Sequence, residues 1–175
     1  MKVFIHILEK IIYIGDEFMD FKEIIHILQL GQKTIATMES CTGGGVVNAI
    51  TNCEGAREIL KFSAVTYSNE YKVKMGVPKE VIDKYTVYSM KTAIEMSKAI
   101  SSFANSNYGI GITGKLNKSD PNNPCGDDNT VYICIYDRDN NKFYKEKMTV
   151  NKESRALNKE HIIDKIITML LDIIK

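Results

Sequence analysis

Helical and strand-like segments alternate along most of this chain, and that alternation restricts its fold more than any other feature. Three short segments are apolar and β-branched, as buried strands are: residues 33–39, 61–68 and 108–114. Between them lie segments with a helical apolar period, whose ends are marked by Asp, Ser, Gly or Pro residues. This alternation predicts an α/β protein, namely a three-layer α/β/α sandwich with a mixed, mostly parallel sheet.

Several helix ends are marked by single residues. Asp20 caps a helix that Gly31 ends. Pro78 is expected at the first position of a short helix. Ser89 caps a longer helix that runs to Phe103. Residues 1–18 fall outside the alternation, so we interpret them as an N-terminal extension and residues 19–175 as a single domain.

The last third of the chain predicts a hairpin and a long helix. Residues 130–137 and 142–150 flank the turn sequence RDNN, which indicates two antiparallel strands. Either Asn151 or Ser154 begins the last helix, which carries an apolar stripe. The polar segment 115–129 is too long for a simple turn, and a loop of this length is expected to be either functional or disordered. The hairpin and the apolar last helix could form a homodimer interface, although apolar faces more often form a core.

Composition and charge exclude several classes of protein. The 23 basic and 22 acidic residues form no basic stripe, so we expect no nucleic-acid partner. No apolar run approaches the about 18 residues of a membrane span, so we expect no membrane partner. The four cysteines and three histidines are scattered and form no C-x-x-C pair, so we expect neither a metal site nor a cofactor. Unpaired cysteines at such spacings are typical of the reducing cytoplasm.

The segment Thr37–Gly45, TMESCTGGG, is the least ordinary in the chain. It follows a predicted strand and leads into a helix, and ligands of open α/β sheets bind beyond the carboxyl ends of strands. A structural interpretation is equally available, because the glycines match neither the P-loop nor the dinucleotide pattern. Ser40 alone indicates an N-cap, and Cys41 a small buried apolar residue. Glu39 could cap or pair locally.

Two further predicted strand ends carry polar side chains. The end of the second strand carries Tyr67, Ser68, Asn69 and, a turn later, Lys72, and the third ends in Thr113 and Gly114. Taken singly, Lys72 would be a solvated surface residue and Tyr67 a packing residue. Arg155 lies in the first turn of the last helix, where the helix dipole mildly opposes it, so an anion is a reasonable partner for it.

The order of these motifs resembles the CinA C-terminal domain family, whose best-known activity is nicotinamide-nucleotide amidase. The family pattern is A-x-x-E-S-C-T-G-G, then V-x-Y-S-N-x-x-K, then V-T-G, and then an arginine that opens the last helix. The matching positions are Ala36 with Glu39–Gly44, Val65 with Tyr67–Asn69 and Lys72, Ile112–Gly114, and Arg155. The resemblance extends from about Asp20 to the end. It implies the same sandwich fold and the metal-free hydrolysis of nicotinamide mononucleotide to nicotinate mononucleotide and ammonia.

The resemblance also implies roles for individual residues. Ser40 is expected to be the nucleophile and Lys72 its base, with Tyr67 relaying a proton or orienting Lys72. The residues expected to bind the substrate, a small pyridine nucleotide, are Glu39, Thr42, Gly43, Gly44, Asn69, Thr113, Gly114 and Arg155. Backbone N–H groups around Thr42–Gly44 would hold an oxyanion or the phosphate, and Arg155 would pair with the phosphate.

The chain departs from the family pattern in three places. The usual T-G-I-A-G-P becomes TGKLN at 113–117, and the usual P-x-G-T-V is interrupted by Asp127–Asn129. Lys159 stands where the family has a second arginine. Lysine is a weaker partner than arginine for bidentate recognition of phosphate. The changed loop 115–129 is expected to form one wall of the pocket. Two alternatives follow: a domain that binds a pyridine nucleotide or a related ligand without turnover, or a different hydrolase that acts on another amide or uses Cys41.

Overall fold

A computed structural model describes residues 20–116 and 125–175 of the chain. The predicted extension over residues 1–18 and the middle of the predicted loop lie outside these described residues. The elements, in chain order, are α1 (Lys22–Leu30), β1 (Ile35–Glu39), α2 (Gly45–Thr51), α3 (Ala56–Ile59), β2 (Leu60–Val65), α4 (Asn69–Lys74), α5 (Lys79–Tyr85), α6 (Met90–Ala104), β3 (Tyr108–Gly114), β4 (Thr130–Asp137), β5 (Lys142–Thr149) and α7 (Arg155–Ile174).

The five strands form one mixed sheet in the order β2–β1–β3–β4–β5. Strand β1 pairs in parallel with both β2 and β3, whereas β3–β4 and β4–β5 are antiparallel. Among these strands β4 alone runs against the others, so the predicted mixed sheet is confirmed. The carboxyl ends of β1, β2 and β3 therefore meet at one edge of the sheet.

Helices cover both faces of the sheet, which completes the predicted three layers. One face carries the larger core, in which Ile110 and Ile112 of β3 pack with Phe21 beside α1 and Ile162 of α7. The other face packs on α6, through Met96 and Ile100 against Ala36 and Met38 of β1. Successive residues of a strand point to opposite faces, so β1 contributes to both cores and is buried along its whole length.

Two glycines of β3 set the distance between the sheet and α6. A Cβ atom placed on Gly109 would meet the carbonyl oxygen of Ser97, and one on Gly111 would meet that of Ala93. The backbones of strand and helix are therefore in direct contact, and no side chain fits between them.

The helix ends agree closely with the sequence, with small differences. Ser89 and Ser154 are N-caps, and their hydroxyls accept hydrogen bonds from the N–H groups three residues on. Ser154 therefore begins the last helix, and Asn151 does not. Pro78 is the N-cap of α5 and lies one position before the expected place. The four-residue helix α3 was not predicted, because one helical turn leaves no period to detect.

Candidate active site

The candidate site lies where the parallel strands β1, β2 and β3 end. Ser40 follows β1, and its N–H donates to Ile112 O of β3 at 3.1 Å. Thr66 follows β2, and its N–H donates to Glu39 O of β1 at 2.8 Å. These bonds extend the sheet by one residue on either side of β1. Because Ser40 extends β1 beside Thr113, both residues stand at the same edge, as the sequence predicted.

Ser40 and Lys72, which are 32 positions apart in sequence, are in contact. The Nζ of Lys72 donates to Ser40 Oγ at 3.1 Å and to the carbonyl oxygen of Thr66 at 2.7 Å. Helix α4 carries Lys72 back towards β1, and Ser68 begins that helix by accepting from Tyr71 N–H at 3.3 Å. Lys72 is 1% exposed and Ser40 7% exposed. The contact is therefore a buried amine–hydroxyl pair.

Burial changes the acidity of the lysine. It lowers the pKa of Lys72 from 10.5 to about 8, because the charged ammonium loses its hydration. The two acceptors of its hydrogen bonds are neutral oxygens, which do not offset the charge. At a pH near 8 a large fraction of Lys72 is therefore a neutral amine, which accepts a proton from a neighbouring hydroxyl.

Cys41 is next to Ser40 in sequence but has a different environment. Its side chain belongs to the larger core and is 5% exposed. Burial raises the pKa of its thiol from 9.0 to about 12. Because the thiolate is the nucleophilic form of cysteine, this residue is poorly suited to attack a substrate at neutral pH.

Glu39 occupies the N-terminus of α2. Its carboxylate oxygens accept from the N–H groups of Gly44 at 3.1 Å, Val46 at 3.1 Å and Val47 at 2.8 Å, and the residue is fully buried. The sequence assigned Glu39 to substrate binding and some of these N–H groups to an oxyanion or phosphate. In the structure Glu39 itself satisfies them, and its carboxylate faces the helix. Its geometry is that of a cap that fixes the turn after Ser40.

The turn after Ser40 depends on two glycines. Gly43 has φ 64° and Gly44 has φ 93°, a conformation in which a side chain is strained. Thr42, just before them, is 1% exposed, and among the described residues its hydroxyl oxygen is buried without a hydrogen-bond partner. An unsatisfied buried hydroxyl costs about 1–3 kcal/mol, so a ligand group that bonds to it would gain that energy.

Thr113 and Gly114, at the end of β3, both have structural roles. Thr113 is fully buried, and its Oγ1 donates to Val87 O at 2.7 Å. A Cβ on Gly114 would come within 2.7 Å of Val131 Cα, so this glycine allows β3 and β4 to pack closely. Gly114 therefore has a structural reason to be glycine, and substrate contact by either residue stays a prediction.

Tyr67 lies at the rim of the site. It is 66% exposed, and the hydrogen bonds of Lys72 Nζ go to Ser40 and to the carbonyl of Thr66 instead. The carbonyl of Thr66 thus holds the Lys72 ammonium, and the proton-relay or orienting role expected of Tyr67 stays a prediction. Asn69 is half-buried at the first position of α4.

The last helix brings two cations towards the site. The guanidinium of Arg155 donates to the carbonyl oxygen of Leu116, and its charge acts on the thiol of Cys41. Lys159 lies one turn further on, and its Nζ would be 3.3 Å from a Cβ placed on Gly43. Lys159 therefore reaches the glycine turn, at the position where the family pattern has a second arginine.

The part of the chain that the structure describes contains neither a cluster of metal-binding side chains nor a helix suited to span a membrane. Over residues 20–116 and 125–175, no three His, Cys, Asp or Glu side chains are grouped so that they could hold a metal ion. No helix in the same ranges combines the length and apolar character needed to cross a membrane.

Comparison with known sequences gives a consistent set of matches. The sequence model of the CinA C-terminal domain matches residues 20–174. A CinA-like protein of Kosmotoga olearia is 37% identical over 131 residues, which are 73% of this chain and 31% of the relative. A Clostridium botulinum protein that is named as competence-damage inducible is 33% identical over 172 residues, or 97% of this chain and 40% of the relative. The chain thus spans well under half the length of these curated relatives.

Comparison with solved structures shows the same fold. A competence or damage-inducible protein from Enterobacter asburiae superposes with a TM-score of 0.79 at 23% identity, covering 87% of this chain and 94% of that one. A CinA superfamily protein from Enterobacter cloacae gives 0.79 at 20% identity, covering 91% and 95%.

Proposed function

Because the chain belongs to the CinA C-terminal domain family, we propose that it is an amidohydrolase that converts nicotinamide mononucleotide to nicotinate mononucleotide and ammonia. The observation that carries this proposal is the buried hydrogen bond of 3.1 Å between Lys72 Nζ and Ser40 Oγ. A serine hydroxyl is a weak nucleophile and needs an adjacent base, and a buried lysine is one of the groups that can supply it.

In the proposed acylation step, the neutral amine of Lys72 takes the proton of Ser40 while Ser40 Oγ bonds to the carboxamide carbon. The resulting tetrahedral intermediate collapses when the Lys72 ammonium returns that proton to the amide nitrogen. The carbon–nitrogen bond breaks, ammonia leaves and a Ser40 ester remains. Water then attacks the ester with Lys72 again as base, which releases the carboxylate and restores the serine.

Other residues of the site supply binding and positioning in this scheme. The cationic side chains of Arg155 and Lys159 are the proposed partners of the substrate phosphate, since both lie beside the turn after Ser40. The hydroxyl of Thr42, which has no hydrogen-bond partner among the residues that the structure describes, is a further proposed contact. Glu39 acts indirectly, because its bonds to α2 hold the turn that presents Ser40.

The proposal is tested by measuring ammonia release from nicotinamide mononucleotide by the purified full chain. We expect one ammonia per nicotinate mononucleotide, and a rate on the order of 10³-fold lower in Ser40→Ala. Ser102→Ala, at an exposed serine of α6, is the matched control and should retain the wild-type rate. If the wild type releases no more ammonia than Ser40→Ala, the amidase assignment is wrong.

The thiol alternative is separated by one more variant. Since the pKa of Cys41 is raised to about 12 by burial, we expect Cys41→Ala to keep its rate within about twofold. Loss of activity in Cys41→Ala together with a fully active Ser40→Ala would instead assign the reaction to the thiol.

A second candidate function is a domain that binds a pyridine nucleotide without turnover. The specific observation in its favour is the changed wall of the site, where buried Lys115 and the inserted Asp128 stand. This alternative predicts saturable heat of binding for nicotinamide mononucleotide in a calorimeter while no ammonia accumulates. Measurable turnover that Ser40→Ala abolishes excludes it.

A further inference from the structure

Lys115 is a buried ammonium that the proposed reaction does not use. Its side chain is 2% exposed. Its backbone N–H donates to Thr130 O at 3.0 Å, which continues the pairing of β3 with β4 beyond Gly114. The start of this side chain is therefore fixed by the sheet.

The ammonium of Lys115 joins three separate parts of the chain. Its Nζ donates to Gly126 O at 3.1 Å and lies 3.5 Å from Asp128 Oδ1. It also lies 5.2 Å from the centre of the Tyr88 ring, a cation–π distance. The end of β3, the turn before α6 and the segment 125–128 thus meet at one charge.

The segment 125–128 rests directly on Tyr88. Gly126 has φ 86°, and a Cβ at this position would lie 2.9 Å from Tyr88 Cβ. A side chain here would push the segment away from the ring. Gly126 allows residues 125–128 to lie close to Tyr88 because it has no Cβ. Lys115 favours the same close packing through its hydrogen bond to Gly126 O.

This arrangement borders the candidate active site. The turn that carries Tyr88 is tied to β3 by the hydrogen bond from Thr113 Oγ1 to Val87 O. Ser40 extends β1 beside Thr113, and Lys115 lies two positions beyond Thr113 along the chain. Because alternate residues of a strand point to the same face, Lys115 continues the row on which Thr113 lies.

Filling space does not account for a lysine at this position. Burying an ammonium costs free energy, and an apolar residue would pack at lower cost. Asp128 offsets little of that cost, because its side chain is 57% exposed.

We propose that Lys115 is a positioning residue that holds residues 125–128 against Tyr88. In this place the segment forms the outer wall of the candidate active site at Ser40 and Lys72, and this wall sets how tightly the substrate is held. The structural half of the proposal is independent of the reaction, whereas the effect on substrate rests on the proposed function. Since the side-chain hydrogen bonds of Lys115 to Gly126 and Asp128 hold the wall, its loss should weaken substrate binding and spare the chemical step.

The test compares Lys115→Met with Lys147→Met in the full chain. Lys147 is the matched control, because its Nζ lies 3.4 Å from Asp127 on the same segment but its side chain is 57% exposed. The first readout is the rate at which a protease that cuts before aspartate cleaves at Asp127 and Asp128. We expect an increase of about tenfold or more in Lys115→Met and no change in Lys147→Met, since local opening controls cleavage.

The second readout is the kinetics of ammonia release from nicotinamide mononucleotide. We expect KM to rise about tenfold in Lys115→Met while kcat stays within twofold. Gly126→Ala pushes the same segment away from Tyr88 and leaves Lys115 in place, so it should reproduce both effects even if Lys115→Met folds poorly.

The outcomes are distinguishable. Unchanged cleavage rates in Lys115→Met and Gly126→Ala would overturn the proposal that Lys115 holds residues 125–128 in place. Faster cleavage with an unchanged KM overturns its influence on the substrate. A wild type without ammonia release refutes the proposed function, while the cleavage rates still decide whether Lys115 holds the wall.

Discussion

Lys72, the lysine of the second motif, has a pKa that its burial lowers. Its Nζ makes hydrogen bonds to two neutral oxygens, Ser40 Oγ and the carbonyl of Thr66, which do not offset the charge of an ammonium. The free amine is therefore favoured, and burial lowers the pKa of Lys72 to about 8. The same burial costs stability while the lysine is charged.

That cost predicts a pH-dependent difference in stability between the wild type and Lys72→Met. Below pH 8 the lysine is charged in both the folded and the unfolded chain, so the full cost is present. Between pH 8 and 10.5 the unfolded lysine still binds a proton that the folded one has lost, so wild-type stability rises with pH. Relative to Lys72→Met, we expect the wild-type free energy of unfolding to increase by about 3 kcal/mol over this window.

Urea unfolding of both proteins at several pH values measures this difference. Lys98→Met removes an exposed lysine of α6 and serves as the control, whose difference from the wild type should stay constant. A Lys72→Met difference that is equally independent of pH contradicts the buried-amine interpretation.

At the scale of elements, the connection between β1 and α2 depends on Glu39. Its carboxylate satisfies three N–H groups at the start of a short helix, and it immediately precedes Ser40. Helix α2 has seven residues, too few to be stable without such contacts. The position of Ser40 therefore depends on the preceding residue, whose carboxylate faces the start of α2.

We expect Glu39→Gln to destabilise the protein by about 2–3 kcal/mol, because charge-assisted bonds are lost and the amide nitrogen faces N–H donors. The rate of ammonia release should fall as well, since the turn after Ser40 loosens. Glu58→Gln, at an exposed glutamate in the first turn of α3, is the control and should cost less than about 0.5 kcal/mol. Thermal unfolding measures both, and equal small effects would show that Glu39 is not the cap.

The sequence predicted the elements better than the contacts between their ends. Strand β3 was predicted at its observed bounds, and the serine caps of α6 and α7 were recognisable because capping is local chemistry. The meeting of Ser40 with Lys72 followed from the family motifs. The bonds of Thr66 O to Lys72 and of Lys115 to Gly126 O were not predictable, since backbone oxygens carry no residue identity.

At the scale of the whole molecule, the core of the described residues begins directly before α1. The family model begins at residue 20, and Phe21 is already fully buried against the larger cluster. The chain covers 31% and 40% of two curated relatives, so in those proteins the matching region is one part of a longer chain. We propose accordingly that the domain folds by itself from residue 19 onwards.

A chain that starts at Met19 tests this division. We expect its thermal midpoint to lie within about 4 °C of the full chain, which corresponds to about 1 kcal/mol for a domain of this size. Its rate of ammonia release should equal that of the full chain. A much lower midpoint would show that residues 1–18 belong to the domain.

The pH dependence of kcat/KM for ammonia release from nicotinamide mononucleotide tests the Ser40–Lys72 base most directly, because this quantity reports the ionisation of the free enzyme. Since the pKa of Lys72 is lowered to about 8, we predict a rate that falls tenfold per pH unit below that value and levels off above it. A rate that stays constant from about pH 6 to 9 would contradict the assignment of Lys72 as the base.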